Sequence, residues 1–176
     1  MKKITMIAAA LVLMLTGATA QTQSPTDALF DKYGAKDGFT TVHITKELFS
    51  LFAEVTQEAE GDDMQELNKV VQGLDFIRIL MLKDTVQSRQ LTEFRNELNG
   101  VKLKDFSELM TVNEGGESVK FMIRKNGKNI NELLLIINQP KEAGFISITG
   151  NIDLKTIAKL SKSMNIDGME NLDKIK

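Results

Sequence analysis

The sequence predicts an α+β fold, a single domain with an antiparallel or mixed sheet of about five to six strands packed by helices. Three observations predict it. The first half carries helical periodicity, with apolar residues at i, i+3, i+4 and i+7 closed by glycines. The second half is a series of alternating apolar segments joined by Gly- and Asn-rich turn chemistry. Between them lies a ten-residue segment, Leu74 to Lys83, apolar on both alternating faces. No repeat at a fixed period and no Pro- or Gly-rich linker divides the chain, so residues 21–176 read as one domain.

The first twenty residues read as a secretory signal peptide, 1–20. Lys2 and Lys3 make a basic start, Ile4 to Thr16 is an apolar run broken only by Thr5, and Ala18-Thr19-Ala20 sets small residues at the −3 and −1 positions of a signal-peptidase site. The run is shorter than the ~20 residues that span a bilayer. Cysteine is absent throughout, which excludes disulfides, a thiolate metal site, a cysteine nucleophile and a lipid anchor on a mature N-terminal Cys. Cleavage after Ala20 leaves 156 residues with a net charge of −4. That acidic balance argues against nucleic acid as partner. The product is expected to be soluble, with no transmembrane segment after cleavage, in the periplasm or the medium.

The elements follow in order. Ser24-Pro25-Thr26-Asp27 reads as a helix start, with Ser at N-cap and Pro at N1, and Gly34 ends that short helix. Phe39 to Ile44 alternates as a strand. Thr45 then caps an amphipathic helix in which Leu48, Leu51, Phe52 and Val55 share one face. Gly61 stops it, Asp62 or Asp63 caps a helix carrying Met64, Leu67 and Val71, and Gly73 stops that one. The Leu74–Lys83 strand comes next. Asp84 to Gln87 is a capping box before a helix lined by Leu91, Phe94 and Leu98 and closed by Gly100. Four strands are then expected, Phe106 to Val112, Ser118 to Arg124, Ile130 to Asn138 and Phe145 to Thr149. Glu114-Gly115-Gly116-Glu117 suits a tight hairpin, Asn126-Gly127 a type I′ turn, and Pro140 to Gly144 a longer loop. Asn151 or Asp153 caps a last helix with Leu154, Ile157, Leu160 and Met164, followed by a short apolar pattern at Ile166, Met169, Leu172 and Ile175.

Three stretches carry a family likeness: Ile44-Thr45-Lys46-Glu47-Leu48-Phe49, Leu74-Asp75-Phe76-Ile77-Arg78-Ile79-Leu80, and Phe145-Ile146-Ser147-Ile148-Thr149-Gly150-Asn151-Ile152-Asp153-Leu154. With these the mature chain resembles an exported bacterial family catalogued as domain of unknown function 4252. The resemblance implies an envelope protein of Gram-negative bacteria with no known activity, and it hints at a place in envelope sensing. Many relatives look like lipoproteins; this chain departs from them in having no cysteine.

Little in the residues points to catalysis. His43 is the single histidine and has no Gly-x-Ser-x-Gly or Ser-x-x-Lys motif to serve, so it reads as a surface or strand-edge side chain. Asn165, Asp167 and Gly168 echo an EF-hand loop, but Lys174 falls where the bidentate carboxylate belongs. Glu58, Glu60, Asp62 and Asp63 cluster between two helices and read as caps and a solvated loop. No phosphate-binding loop is present, and no cofactor or metal is expected. Arg78 inside the most apolar strand needs a partner, either an anionic ligand or a helix carboxylate such as Glu97; the structural pair is favoured. Lys155, Lys159 and Lys162 share one face of the last helix as a solvated stripe.

These readings favour a non-enzymatic module that binds a protein partner of the envelope, offering strand edges for β-augmentation. The alternative is a binder of an apolar or lipid-like ligand in a helix–sheet cleft lined by Phe49, Phe52, Phe76 and Met81, residues that read equally well as core. A hydrolase using a carboxylate pair has least support, because no motif places one.

Overall fold

A computed structural model describes residues 24–56, 62–83, 88–127 and 129–153. The expected signal peptide, the acidic residues Glu58 and Glu60, the capping box at 84–87 and both C-terminal apolar patterns lie outside the described residues. In chain order the elements are α1 (Asp27–Tyr33), β1 (Phe39–Thr45), α2 (Lys46–Thr56), α3 (Asp62–Gln72), β2 (Leu74–Lys83), α4 (Arg89–Asn99), β3 (Phe106–Glu114), β4 (Glu117–Asn126), β5 (Asn129–Gln139) and β6 (Glu142–Ile152).

The six strands form one antiparallel sheet in the order β1-β2-β6-β5-β4-β3. The expected four-strand meander is present as β3 to β6, and β2 lies on the far side of β6 with β1 paired antiparallel at its outer edge. Two turns differ from expectation. Gln139 pairs with Glu142, so the Pro140 connection is a two-residue turn rather than a longer loop; proline's fixed φ suits the first corner of such a turn. Asn126 pairs with Asn129 and belongs to β4, so the turn is not centred on Asn126 and Gly127. An irregularity between Arg124 and Lys125 shifts the register by one and pulls Asn126 into the strand. Gly115 and Gly116 sit at φ 57° and 88° between the paired Glu114 and Glu117, as a tight hairpin requires.

The sheet's two faces are covered differently. On one face, Leu80, Leu82, Leu134, Ile136, Ala143 and Phe145 pack with Leu91, Phe94 and Leu98 of α4 and with Leu29 and Tyr33 of α1. The α4 spacing is 3 and 4 residues, so the three side chains form one stripe, and burying each stabilises by ~1.5–3 kcal/mol. Ser88 starts α4, its Oγ accepting from the Leu91 N–H at 3.3 Å, and Gly100 ends it. Phe94 meets Tyr33 and Phe39 edge-on at 5.0 and 4.9 Å between ring centres. On the opposite face a smaller cluster, Leu74, Ile123, Ile130 and Ile152, gathers Phe49, Ile77, Leu133 and Ile148 around it. It sits at one end, where α2 leaves β1.

The helix start at Ser24 is displaced. Thr26 is the N-cap without a side-chain cap bond, and α1 begins at Asp27. Ser24 is buried instead, its Oγ donating to Glu132. The Asp27 carboxylate accepts from the Ser24 N–H at 2.9 Å and closes the turn.

Candidate functional site

The end of the α4-covered face that α4 does not reach is polar, and the turn 24–27 seals it. Alternation along β2, β4, β5 and β6 points Arg78, Arg124, Glu132 and Ser147 to this face. Arg124 and Glu132 are cross-strand partners in register, with Nη2 and Oε2 2.7 Å apart and the Glu132 side chain fully buried. Glu132 Oε1 accepts from Ser24 Oγ at 2.6 Å and from Ser147 Oγ at 2.7 Å. Arg78 donates to the Asp27 carboxylate, and its guanidinium lies 4.4 Å from the Phe76 ring and 5.2 Å from Phe30. The expected structural pair of Arg78 therefore exists, but with Asp27 rather than Glu97. Glu97 is taken by Lys32 Nζ at 2.7 Å and by the Tyr33 hydroxyl at 2.8 Å. These bonds hold the Glu97 carboxyl below its usual range, the Lys32 bond chiefly, and the same carboxylate raises Lys32. Burial pushes the Tyr33 hydroxyl up. The cluster neutralises each carboxylate with an arginine, so it clamps the N-terminal turn to the sheet and offers no free acid or base.

The residues expected to line one cleft are separated by the sheet itself. Phe76 and Arg78 lie on the α4-covered face with Leu80 and Leu82, whereas Met81 shares the opposite face with Ile77 and Ile79. Phe49, from α2, packs against the smaller cluster of Leu74, Ile123, Ile130 and Ile152, as Ile77 and Ile148 do. Phe52 lies on neither face; it is 42% exposed. Strand alternation sends Phe76 and Met81 to opposite sides of the sheet, so the four residues do not line one cleft. His43 is exposed on edge strand β1, with its ring 5.7 Å from Phe30.

Two surfaces remain. The first is the apolar stripe of α2. Leu48 is 55% exposed, Leu51 59% and Val55 81%, and Phe52 lies between them. The periodicity foresaw the stripe, but these residues face outward. Phe49 turns to the sheet, and Ala53 is buried beside α3, where Asn68 Nδ2 donates to the Ala53 carbonyl at 3.3 Å. Glu47 and Glu54 flank the stripe and are exposed. The second is a cavity of about 280 Å³ between the end of α4 and β3–β5. Leu98, Val101, Leu103, Met122 and Ile136 give it apolar walls, and Glu108, Lys120 and Asn138 stand in its lining as polar groups.

Sequence reasoning missed Glu132 and Arg124. The available signal was the one that singled out Arg78, a charge inside an apolar strand: Arg124 follows Phe121-Met122-Ile123, and Glu132 precedes Leu133 to Ile137. The cavity left no local signal, since its walls come from a helix end, a loop and three strands.

Among the described residues, no helix is long and apolar enough to cross a membrane. A family model described as Domain of unknown function (DUF4252) matches residues 33–160. No curated protein matches the chain. Among solved structures, the chain has a likeness to the solution structure of cyanobacterial PsbP (CyanoP) from Synechocystis sp. PCC 6803, with 9% identity, coverage of 78% of this chain and 80% of that one, and a TM-score of 0.26.

Proposed function

Because the chain belongs to the family described as Domain of unknown function (DUF4252), whose description states no activity, we propose a function from its surface: a non-enzymatic, exported envelope module that binds a protein partner through the outward stripe of α2. The observation that carries this reading is the exposure of Leu48, Leu51, Phe52 and Val55 together. Exposed apolar residues in a contiguous patch mark interaction sites far more than scattered ones do. Their i, i+3, i+4, i+7 spacing is the pattern by which one helix docks on another. Glu47 and Glu54 beside the stripe favour a partner helix whose apolar side is flanked by Lys or Arg. The pairing of Glu132 and Asp27 with arginines supports a non-catalytic role, since each carboxylate is already held by a guanidinium.

A photo-crosslinking residue placed at Leu51 or Val55 in cells should give an adduct of one discrete mass, and one placed at exposed Thr92 on α4 should not. Leu51→Asp with Val55→Asp should remove the adduct while changing stability by less than ~0.5 kcal/mol, as surface substitutions do. An absent adduct, or a double variant that unfolds, would overturn the reading. Export is tested separately: the mature protein should begin at Gln21, and an intact Met1 in the envelope fraction would refute it.

A second reading is an apolar or lipid-like ligand held in the cavity between α4 and the sheet, against Leu98, Val101, Leu103, Met122 and Ile136. The cavity's volume is near the lower end of the ~300–1,000 Å³ of small-molecule sites, which limits it to a small ligand or one end of a chain. Native mass spectrometry of protein from the periplasm decides this: a co-purified mass supports it and an apo mass opposes it.

A further inference from the structure

The cavity between the end of α4 and β3–β5 has two opposite charges on its sheet side. Glu108 is in register with Met122, and Lys120 with Ile136. Register partners share a face, and so do residues two apart on one strand. Glu108, Lys120, Met122 and Ile136 are therefore neighbours on the face beneath α4, and all four line the cavity. Glu108 and Lys120 are diagonal neighbours across β3 and β4, a separation of about 7–8 Å. Among the described residues neither takes part in an ion pair or a side-chain hydrogen bond. Both are exposed, so a solute can reach them. Leu98, Val101 and Leu103 supply apolar walls from the helix end and the loop after it, and Met122 and Ile136 supply them from the sheet. At the rim Asn138 Nδ2 donates to Asn99 Oδ1 at 3.4 Å, which ties the end of α4 to β5 and holds the wall in place.

We propose that this cavity binds a small zwitterion with an apolar body, in kind and size an apolar α-amino acid, with its carboxylate on Lys120 and its ammonium on Glu108. The proposal rests on the second reading above, that the cavity takes a ligand, and names the class of that ligand. A volume of about 280 Å³ suits a molecule of that size and not a whole lipid. A ligand with one charge would leave the other wall charge unmatched. A zwitterion matches both: the ammonium donates to the Glu108 carboxylate, and the ligand carboxylate accepts from Lys120. Charge-assisted bonds of this kind are stronger than neutral ones. Turning the ligand end for end would set like charges together, so its orientation is fixed. The apolar side chain then leaves water for the walls of Leu98, Met122 and Ile136.

The test is an NMR titration of the isotope-labelled full chain with three probes: leucine, isocaproate, which is leucine without its ammonium, and isoamylamine, which is leucine without its carboxylate. Leucine should shift the amides of Val101, Leu103, Lys120 and Met122 saturably, and the other two should bind about tenfold or more weakly. Lys120→Met should bring leucine down to the affinity of isoamylamine, and Glu108→Gln to that of isocaproate. Both replaced residues are exposed, so the fold should survive each change. Lys141→Met, at an exposed lysine outside the lining, should alter nothing. Equal binding of all three probes, or a leucine affinity that neither Lys120→Met nor Glu108→Gln changes, would overturn the proposal and leave the second reading standing. No saturable shift with any probe would overturn both.

Discussion

Replacing Glu132 by Gln tests the buried charge cluster with almost no change of shape. Glu132 is fully buried, with Oε1 accepting from Ser24 and Ser147 at 2.6 and 2.7 Å and Oε2 facing Arg124 at 2.7 Å. An amide that keeps its oxygen toward the two serines must turn its NH₂ group toward the guanidinium, donor against donor. The arginine, itself buried, then loses the carboxylate it faces across the strands. Removing one partner of a buried pair costs ~3–5 kcal/mol, which is about a fifth or more of the 5–15 kcal/mol that holds a typical domain together. The same physics predicts recovery when both charges go. Arg124→Met with Glu132→Leu keeps apolar bulk near the Phe106 ring and should restore most of the loss, since well-packed apolar replacements of buried pairs are often neutral or better. Urea denaturation of the two single variants and the double gives the coupling directly, expected at ~2 kcal/mol or more for groups in contact. A Glu132→Gln cost below ~1 kcal/mol, or a double variant no more stable than the sum of its parts, would refute the claim that this pair clamps the N-terminal turn.

Other substitutions probe the remaining layers. Leu80→Ala removes a side chain with no exposure and should cost ~2–5 kcal/mol by chemical denaturation; Ile79→Ala, half-buried on the opposite face, should cost less than Leu80→Ala. Gly127→Val should cost about 1–3 kcal/mol, and all of it through the backbone, because φ is 63° and a Cβ there meets nothing within 4 Å; Gly127→Asn, which tolerates that φ, should restore most of it. Glu97 has a lowered folded pKa, so its contribution is present above the ordinary value of 4.5 and is lost as pH falls through the folded value. Stability curves of wild type and Glu97→Gln should therefore converge in acid. Lys32 is raised above 10.5, so its contribution is present below that value and fades as pH rises through the raised one.

Local chemistry was sufficient for the elements. The glycine-closed periodic runs became α2, α3 and α4, and the Gly-Gly hairpin and the meander it starts are where the turn residues put them. The both-sided apolar pattern of Leu74–Lys83 matches a strand with Phe76, Leu80 and Leu82 on one face and Ile77, Ile79 and Met81 on the other. What periodicity could not say is which neighbour each face meets. A stripe such as Leu48, Leu51, Phe52 and Val55 reads the same whether it is covered or open, because period reports the difference between faces and not what lies opposite them. Arg78 inside a strand announced a need for a carboxylate, but the partner is Asp27, 51 residues away, and not Glu97, which is much nearer in sequence. The choice between them depends on where α1 lands on the sheet. The alternation of Arg124 and Glu132 along β4 and β5 made a pair conceivable only once register set them side by side. The sequence by itself determined the α+β elements and the two-faced strands, through dihedral preference and hydrophobic period, which act within a few residues. Only the tertiary structure decided the charge partners, the cavity and the open stripe, because those depend on how segments far apart in the chain share one sheet.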